Sequence, residues 1–246
     1  VNVFVYHTPE LTPIDPLPDC AVVIDVLRAT TTIATVLDRG GDSVQAFSDI
    51  DELLAVSASW DADKRLRAGE RGGATVEGCD CGNSPLEYTA DVVAGRRLFL
   101  STTNGTRALE RVADAPIVLT AALVNRQAVV DEIIKRQPET IALVGSGWQG
   151  GYALEDTACA GAIIEGLLSA TGAKLADIAA NDEVVAALAL YRQWHDRLED
   201  LMRIASHGQR LLRLDAERED MAYCAQLDTI ATVPMQSDRG VLIAAS

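Results

Sequence analysis

The segment Val22 to Leu37, VVIDVLRATTTIATVL, ends an apolar run at Asp25, places Arg28 three residues on, and follows with Thr30, Thr31 and Thr32. An acid at the end of a buried strand can bind Mg²⁺ or serve as a nucleophile. An arginine beside it can fork onto phosphate or sulfonate oxygens, and the start of a following helix offers backbone N–H groups to an anion. The simpler alternative is an Asp–Arg pair that ties the loop, with the threonines as cap and helix residues. A second group is GERGG, Gly69 to Gly73, followed by GNSPLEY, Gly82 to Tyr88. There Glu70 is a metal ligand or general acid/base, Arg71 an anion clamp, and Asn83-Ser84 ahead of Pro85 a helix entry; a solvated turn with a capped helix is the alternative.

The third group, STTNGTRA from Ser101 to Ala108, sets Thr102, Thr103, Asn104 and Arg107 near a helix start, an inventory for holding an anion without covalent chemistry. No GxxxxGK[ST] phosphate loop occurs in the chain. The fourth, GSGWQGGYALEDTACAG from Gly145 to Gly161, fits GxGxxG after a strand, yet Glu155 and Asp156 at the helix start would repel a pyrophosphate. Those two acids either bind a metal or favour the helix dipole. His7, His195 and His207 form no metal-ligand spacing; His195 reads as a surface or packing residue, whereas His207 follows a polar helix end. The five cysteines have no repeated CxxC spacing, which points to reduced thiols and neither a disulfide framework nor a zinc site.

Three stretches position these groups alike, each running from an apolar strand through Ser/Thr/Gly/Asn residues into an amphipathic helix: CAVVIDV with TTIATVLDRGG, RRLFLSTTNGTRALERV, and ETIALVGSGWQGGYALEDTACAGAIIEGLL. Repeated βα units favour a mainly parallel sheet in which ligands collect at the carboxyl ends of the strands, so the three polar connections are candidates for one shared site. The fold class expected is α/β, three layers around a mainly parallel or mixed sheet. It reads as one domain over 1–246, with two similar α/β halves packed closely and meeting near Gln137-Pro138 as the alternative. RLRAGERGGATVEGCDCGNSPLEY, rich in glycine and uneven, reads as a long loop. Asp182 to Leu214 reads as a long helical segment that His207-Gly208 interrupts, and the C-terminal stretch as a helix followed by one or two strands.

The formal net charge of −15 argues against nonspecific nucleic-acid binding and against adhesion to anionic membranes. It leaves room for a small anionic phosphorylated substrate, which needs only a local positive cluster or a metal ion. No apolar run approaches a membrane span and the N-terminal VNVFVYHTPE has no signal-peptide pattern, so a cytoplasmic location is expected; a homodimer is expected only from general habit.

VVIDVLRATTTIATVL, GERGG, GCDCGNSPLEY, STTNGTRAL, LEDTACAGAII and DMAYCAQLD ahead of Val233-Pro234, in this order, resemble the 2-phosphosulfolactate phosphatase family. The chain departs from the pattern at Cys79 and Cys81, where bulkier apolar or aromatic residues often flank the Asp. The resemblance implies an unusual α/β fold and a Mg²⁺-dependent hydrolase that releases phosphate from 2-phospho-3-sulfolactate to give 3-sulfolactate, a step of coenzyme M biosynthesis. It makes Asp25, Arg28 and Glu70 the catalytic candidates and Asp25, Glu70, Glu155 and Asp156 the metal candidates. Thr30, Arg71, Asn83, Ser84, Thr102, Thr103, Asn104 and Arg107 are then the substrate-binding candidates. Asp25-Val26-Leu27 lacks the second acid of a DxD phosphoaspartate arrangement, which favours attack by water. A phosphatase for another small phosphorylated hydroxy acid, a non-catalytic binder of such anions, and a nucleotide-binding oxidoreductase built on GSGWQG are the competing readings.

Overall fold

Cys20 to Ile24 is buried at every position, because both faces of this strand are covered. Cys20, Val22 and Ile24 enter one apolar cluster and Ala21 and Val23 another, the alternation a strand imposes. The computed structural model describes residues 1–71, 74–213 and 218–245; Gly72 and Gly73 of GERGG, and Leu214, lie outside the described residues. In chain order the elements are β1 (Asn2–Tyr6), β2 (Cys20–Ile24), α1 (Ala29–Asp38), β3 (Ser43–Phe47), α2 (Ile50–Ser57), β4 (Arg65–Arg71), β5 (Ala74–Thr75), α3 (Ala90–Val93) and β6 (Arg97–Ser101). Then come α4 (Gly105–Val112), β7 (Ile117–Ala121), α5 (Arg126–Arg136), β8 (Thr140–Gly145), α6 (Leu154–Thr171), α7 (Leu175–Ile178) and α8 (Asp182–Trp194). The last are α9 (Leu198–Ile204), α10 (Ser206–Arg213), α11 (Arg218–Cys224), β9 (Pro234–Asp238) and β10 (Val241–Ala244).

The fold is α/β, on a mixed and mostly parallel sheet in the order β1-β8-β2-β7-β9-β10-β3-β6-β4-β5. β1, β8, β2 and β7 are mutually parallel, and so are β3, β6 and β4. The antiparallel β9–β10 hairpin joins the two sets, pairing antiparallel with β7 on one side and β3 on the other, so the halves run in opposite senses. Gln137, in the left-handed region, ends α5 ahead of Pro138, and the strand that follows, β8, lies between β1 and β2.

Five neighbour steps separate β2 from β6, and a twist of roughly 20–25° per step turns one half far round relative to the other. Ala21 and Val23 of β2 therefore share one cluster with Leu98 and Leu100 of β6, together with Ile33, Val36 and Leu37 of α1 and Ala108, Leu109 and Val112 of α4. Helix α1 is buried from Ala29 to Leu37, the pattern of a helix enclosed on all sides. On the other face α5, α6 and α8 cover β1, β8 and β2.

Two expectations fail. Arg65 to Arg71 is a strand of the main sheet, pairing with β6 from Arg65↔Arg97 to Gly69↔Ser101. Its alternation was real, with Leu66 and Ala68 buried between more exposed arginines, but glycine and charge obscured it. The segment from Asp182 also breaks earlier than His207-Gly208, into α8, α9 and α10, with ends at Trp194 and Ile204. Among the described residues no helix is long and apolar enough to cross a membrane.

Candidate active site

A pocket of about 230 Å³ is lined by Asp25, Leu27, Arg28, Glu70, Asn83, Thr102, Thr103, Asn104, Trp148, Gln149, His207 and Arg210. Strand ends from both halves of the sheet supply most of it: Asp25 follows β2, Glu70 closes β4, Thr102 to Asn104 follow β6, and Trp148 and Gln149 follow β8.

The threonines explain how Asp25 is held. The Thr30 hydroxyl accepts the Asp25 N–H (2.9 Å) and lies 2.8 Å from the Asp25 carbonyl and 2.7 Å from that of Ala121. Thr31 donates to the Val26 carbonyl (2.8 Å), and Thr32 to the carbonyl of Asn83 (3.0 Å), which fixes that asparagine beside the pocket. Asp25 Oδ1 in turn accepts the N–H of Ala29, the first residue of α1 (3.2 Å). The start of α4 approaches from the other side. A Cβ on Gly105 would lie 2.6 Å from the Ala29 Cβ and 2.8 Å from Asp25 Oδ2, so only glycine allows this contact. Two helix N-termini thus converge on one buried carboxylate, and both favour negative charge. Gly105→Ala is expected to lose activity at least about tenfold and stability by about 1–3 kcal/mol, as overpacking does; steady-state rates and a urea melt check both.

Burial raises the Asp25 carboxyl to about 6, with the neighbouring Glu155 and Glu70 charges adding to the rise and His207 and the Ala29 N–H opposing it. Asp156 is also pushed well above the usual carboxylate range, first by burial and then by Glu155 and Asp25. Both its oxygens accept backbone N–H groups: Oδ1 that of Val26 (2.9 Å), and Oδ2 those of Ser146 and Gly147 (3.1 and 3.3 Å). Asp156 therefore clamps the ends of β2 and β8 together. Arg28 is buried, with one terminal nitrogen 2.5 Å from Glu70 Oε2 and another 2.5 Å from Asp220 Oδ2. Asp220 also accepts the Ser84 hydroxyl (2.6 Å).

Of the residues picked from the sequence, Asp25, Arg28, Glu70, Asn83, Thr102, Thr103 and Asn104 line this one pocket. Several others face elsewhere. Thr30 spends its hydroxyl on the turn, and Ser84 on Asp220 and on the Leu86 N–H of a single 3-10 turn. Arg71 bonds the Glu70 carbonyl and the Ser101 hydroxyl. Arg107 pairs with Glu10 at the surface, because the inward positions of α4 are Gly105, Thr106, Ala108, Leu109 and Val112. Glu155 is buried behind the pocket, its Oε1 3.7 Å from His207 Nδ1 and its Oε2 without a hydrogen-bond partner among the described residues. Cys79 and Cys81 do not line the pocket, so the departure at those positions leaves its wall unaltered.

Sequence reading missed the wall formed by Trp148, Gln149, His207 and Arg210. GSGWQG opens no helix. Trp148 and Gly151 exchange two backbone hydrogen bonds (3.0 and 2.9 Å) around Gln149 and Gly150 at φ of 50° and 76°, a tight two-residue turn, and α6 begins only at Leu154. The Trp148 ring stacks on His207 at 4.1 Å, with 9° between planes. A Cβ on Gly208 would lie 1.8 Å from the Met202 carbonyl oxygen, so glycine there lets α10 fold back onto α9 and carry His207 over the pocket. The SHG triplet was the available signal for this wall, and DMAYCAQLD the signal for Asp220.

A family model described as 2-phosphosulpholactate phosphatase matches residues 6–239. The chain belongs to the 2-phosphosulfolactate phosphatase family. It is 61% identical to a Synechocystis protein over 245 residues, covering 100% of both chains, and 59% identical to a Microcystis aeruginosa protein over 243 residues, covering 99% of each. It is also 59% identical to a Trichormus variabilis protein over 241 residues, with 98% of each covered. All three relatives carry the name "Probable 2-phosphosulfolactate phosphatase". In this 2-phosphosulfolactate phosphatase family member, the six blocks recognised in the sequence fall on the β2–α1 turn, the end of β4, the 78–88 segment, the β6–α4 turn, the start of α6 and α11.

Proposed function

We propose that this chain hydrolyses the phosphate monoester of 2-phospho-3-sulfolactate, releasing inorganic phosphate and 3-sulfolactate. The observation that carries this reading is the buried Asp25 carboxylate at the meeting point of the α1 and α4 N-termini, in a pocket sized for a small molecule. Backbone N–H groups at the start of α4 receive phosphoryl oxygens, with the Asn104 side chain beside them, while the Ala29 N–H of α1 holds Asp25. Asp25, ionised above about pH 6, accepts the proton of the attacking water as oxygen bonds to phosphorus and the bond to the lactate oxygen breaks. Glu70, paired with Arg28, fixes the guanidinium beside the site.

Mg²⁺ belongs to the same proposal. Among the described residues no cluster of three or more His, Cys, Asp or Glu side chains is arranged for a metal ion, so a protein cage does not fit. Asp25 with Asn83 Oδ1 and Thr102 Oγ1, two buried oxygens without hydrogen-bond partners among the described residues, does fit a small hard cation that completes its shell from water and substrate. Bound there, Mg²⁺ would neutralise charge on the phosphoryl oxygens.

The test is phosphate release from racemic 2-phosphosulfolactate by wild type and Asp25→Asn, with Mg²⁺ and after EDTA. Loss of turnover in the variant and on chelation is expected. Full activity in Asp25→Asn would remove Asp25 from the mechanism. A panel of phosphorylated hydroxy acids separates this reading from a phosphatase of other specificity, and ligand-induced stabilisation without product would mark a binder instead.

A further inference from the structure

Two arginines line the pocket, and their surroundings differ. Arg28 has both terminal nitrogens on carboxylates, Glu70 and Asp220. Arg210 meets no carboxylate among the described residues; its Cζ lies over the Trp148 ring, 5.2 Å from the centroid. The indole that supports it is fixed by the tight Trp148–Gly151 turn and by stacking on His207. His207 and Arg210 are three residues apart on α10, and so share a face of that helix. Glu70 lines the same space and is paired with Arg28, whereas Arg210 has no carboxylate paired with it among the described residues.

We infer that Arg210, backed by Trp148, is the subsite for the substrate's sulfonate and the residue that selects a sulfonated over a plain phosphorylated lactate. This rests on the function proposed above. Phosphoryl and carboxylate oxygens are good acceptors for helix N-terminal N–H groups and good ligands for a hard cation. Sulfonate oxygens are weakly basic and poor metal ligands, but carry charge at every working pH. A guanidinium that is always protonated and presents a planar fork of N–H donors is the group suited to them. The Arg210 side chain is only partly buried and belongs to no hydrogen-bond network described for the fold, so its removal leaves the folding machinery in place.

The experiment crosses enzyme with substrate. Wild type, Arg210→Ala and Arg210→Lys are assayed on 2-phosphosulfolactate and on 2-phospholactate, which lacks only the sulfonate. Arg210→Ala is expected to lose about 30- to 100-fold in kcat/KM on the sulfonated substrate and less than about threefold on phospholactate, with Lys intermediate. Equal losses on both substrates, or no loss on either, would overturn the assignment. Binding of 3-sulfolactate and of lactate, measured by calorimetry on the same proteins, gives a second readout. If the wild type releases phosphate from neither substrate, the hydrolase reading fails and this arm alone decides Arg210. At least about tenfold weaker 3-sulfolactate binding in Arg210→Ala than in wild type supports the subsite, and unchanged binding in the variant, or no binding by the wild type, rejects it.

Discussion

Asp25→Asn is expected to abolish phosphate release, by at least about 10³-fold in kcat, while making the metal-free protein more stable. The two effects have one cause. Asp25 is buried, close to Glu155 and Glu70, and its carboxyl is raised from 3.8 to about 6. An acid whose folded value exceeds its unfolded value stabilises the fold only while protonated, so its contribution is present below about pH 4 and lost as pH rises through about 6. Above that, keeping the charge in place costs about 3 kcal/mol, the equivalent of a shift of about two units. Asparagine retains an oxygen for the Ala29 N–H and removes the charge. In EDTA at pH 8 the variant should therefore melt roughly 5–10 °C above wild type, and the difference should close as pH falls toward 4. A variant that is inactive and also less stable at pH 8 would mean that Asp25 is chiefly a fastening for the β2–α1 turn. The expected result instead marks a site where stability has been given up for reactivity.

This site was legible in the sequence to the extent that local order carries it. Asp25, Arg28 and the threonines lie within eight residues, and the strand-to-helix pattern around them is enough to place an acid at a helix start. Thr102 to Asn104 were legible for the same reason. Convergence of the three turns followed from the general behaviour of βα units, although the parallel sheet that motivated it is divided into two opposed sets by the β9–β10 hairpin. Arg107 shows where local reasoning stopped short. Its block was identified, yet the apolar spacing of Ala108, Leu109 and Val112 already implied that Arg107 faces outward. Arg210, His207 and Asp220 are a different case, since His207 and Arg210 reach the pocket from α10 and Asp220 reaches Arg28 from α11, more than 170 residues beyond Asp25. Nothing local fixes that approach. It depends on the Gly208–Met202 contact, the Trp148 stack and the ion pair to Arg28, each a tertiary event without periodic signature.

The largest loss of stability is expected from Arg28→Met. The guanidinium joins Glu70 at the end of β4 to Asp220 on α11 and is itself rooted between β2 and α1, so three distant segments meet on one buried cation. Arg28 and Asp220 are each only 3% exposed. Methionine fills a similar volume but leaves two carboxylates without their cation, and breaking a buried pair from one side typically costs about 3–5 kcal/mol. The pH dependence identifies the source. Burial already raises the Asp220 carboxyl, while Ser84 and Arg28 hold it down; without Arg28 it rises further. A carboxyl raised on folding stabilises when protonated, so the deficit should be full at pH 8 and shrink as the solution is acidified through the variant's folded value. Adding Asp220→Asn to Arg28→Met removes one stranded charge and should recover part of the loss at pH 8, with little further change at pH 5. Urea melts of the single and double variants at both pH values test this. A deficit that ignores both pH and the second substitution would assign Arg28's contribution to packing of its aliphatic stem. The expected pattern instead makes the Glu70–Arg28–Asp220 link the fastening that holds α11 and the end of β4 against the β2–α1 turn, and with them the shape of the pocket.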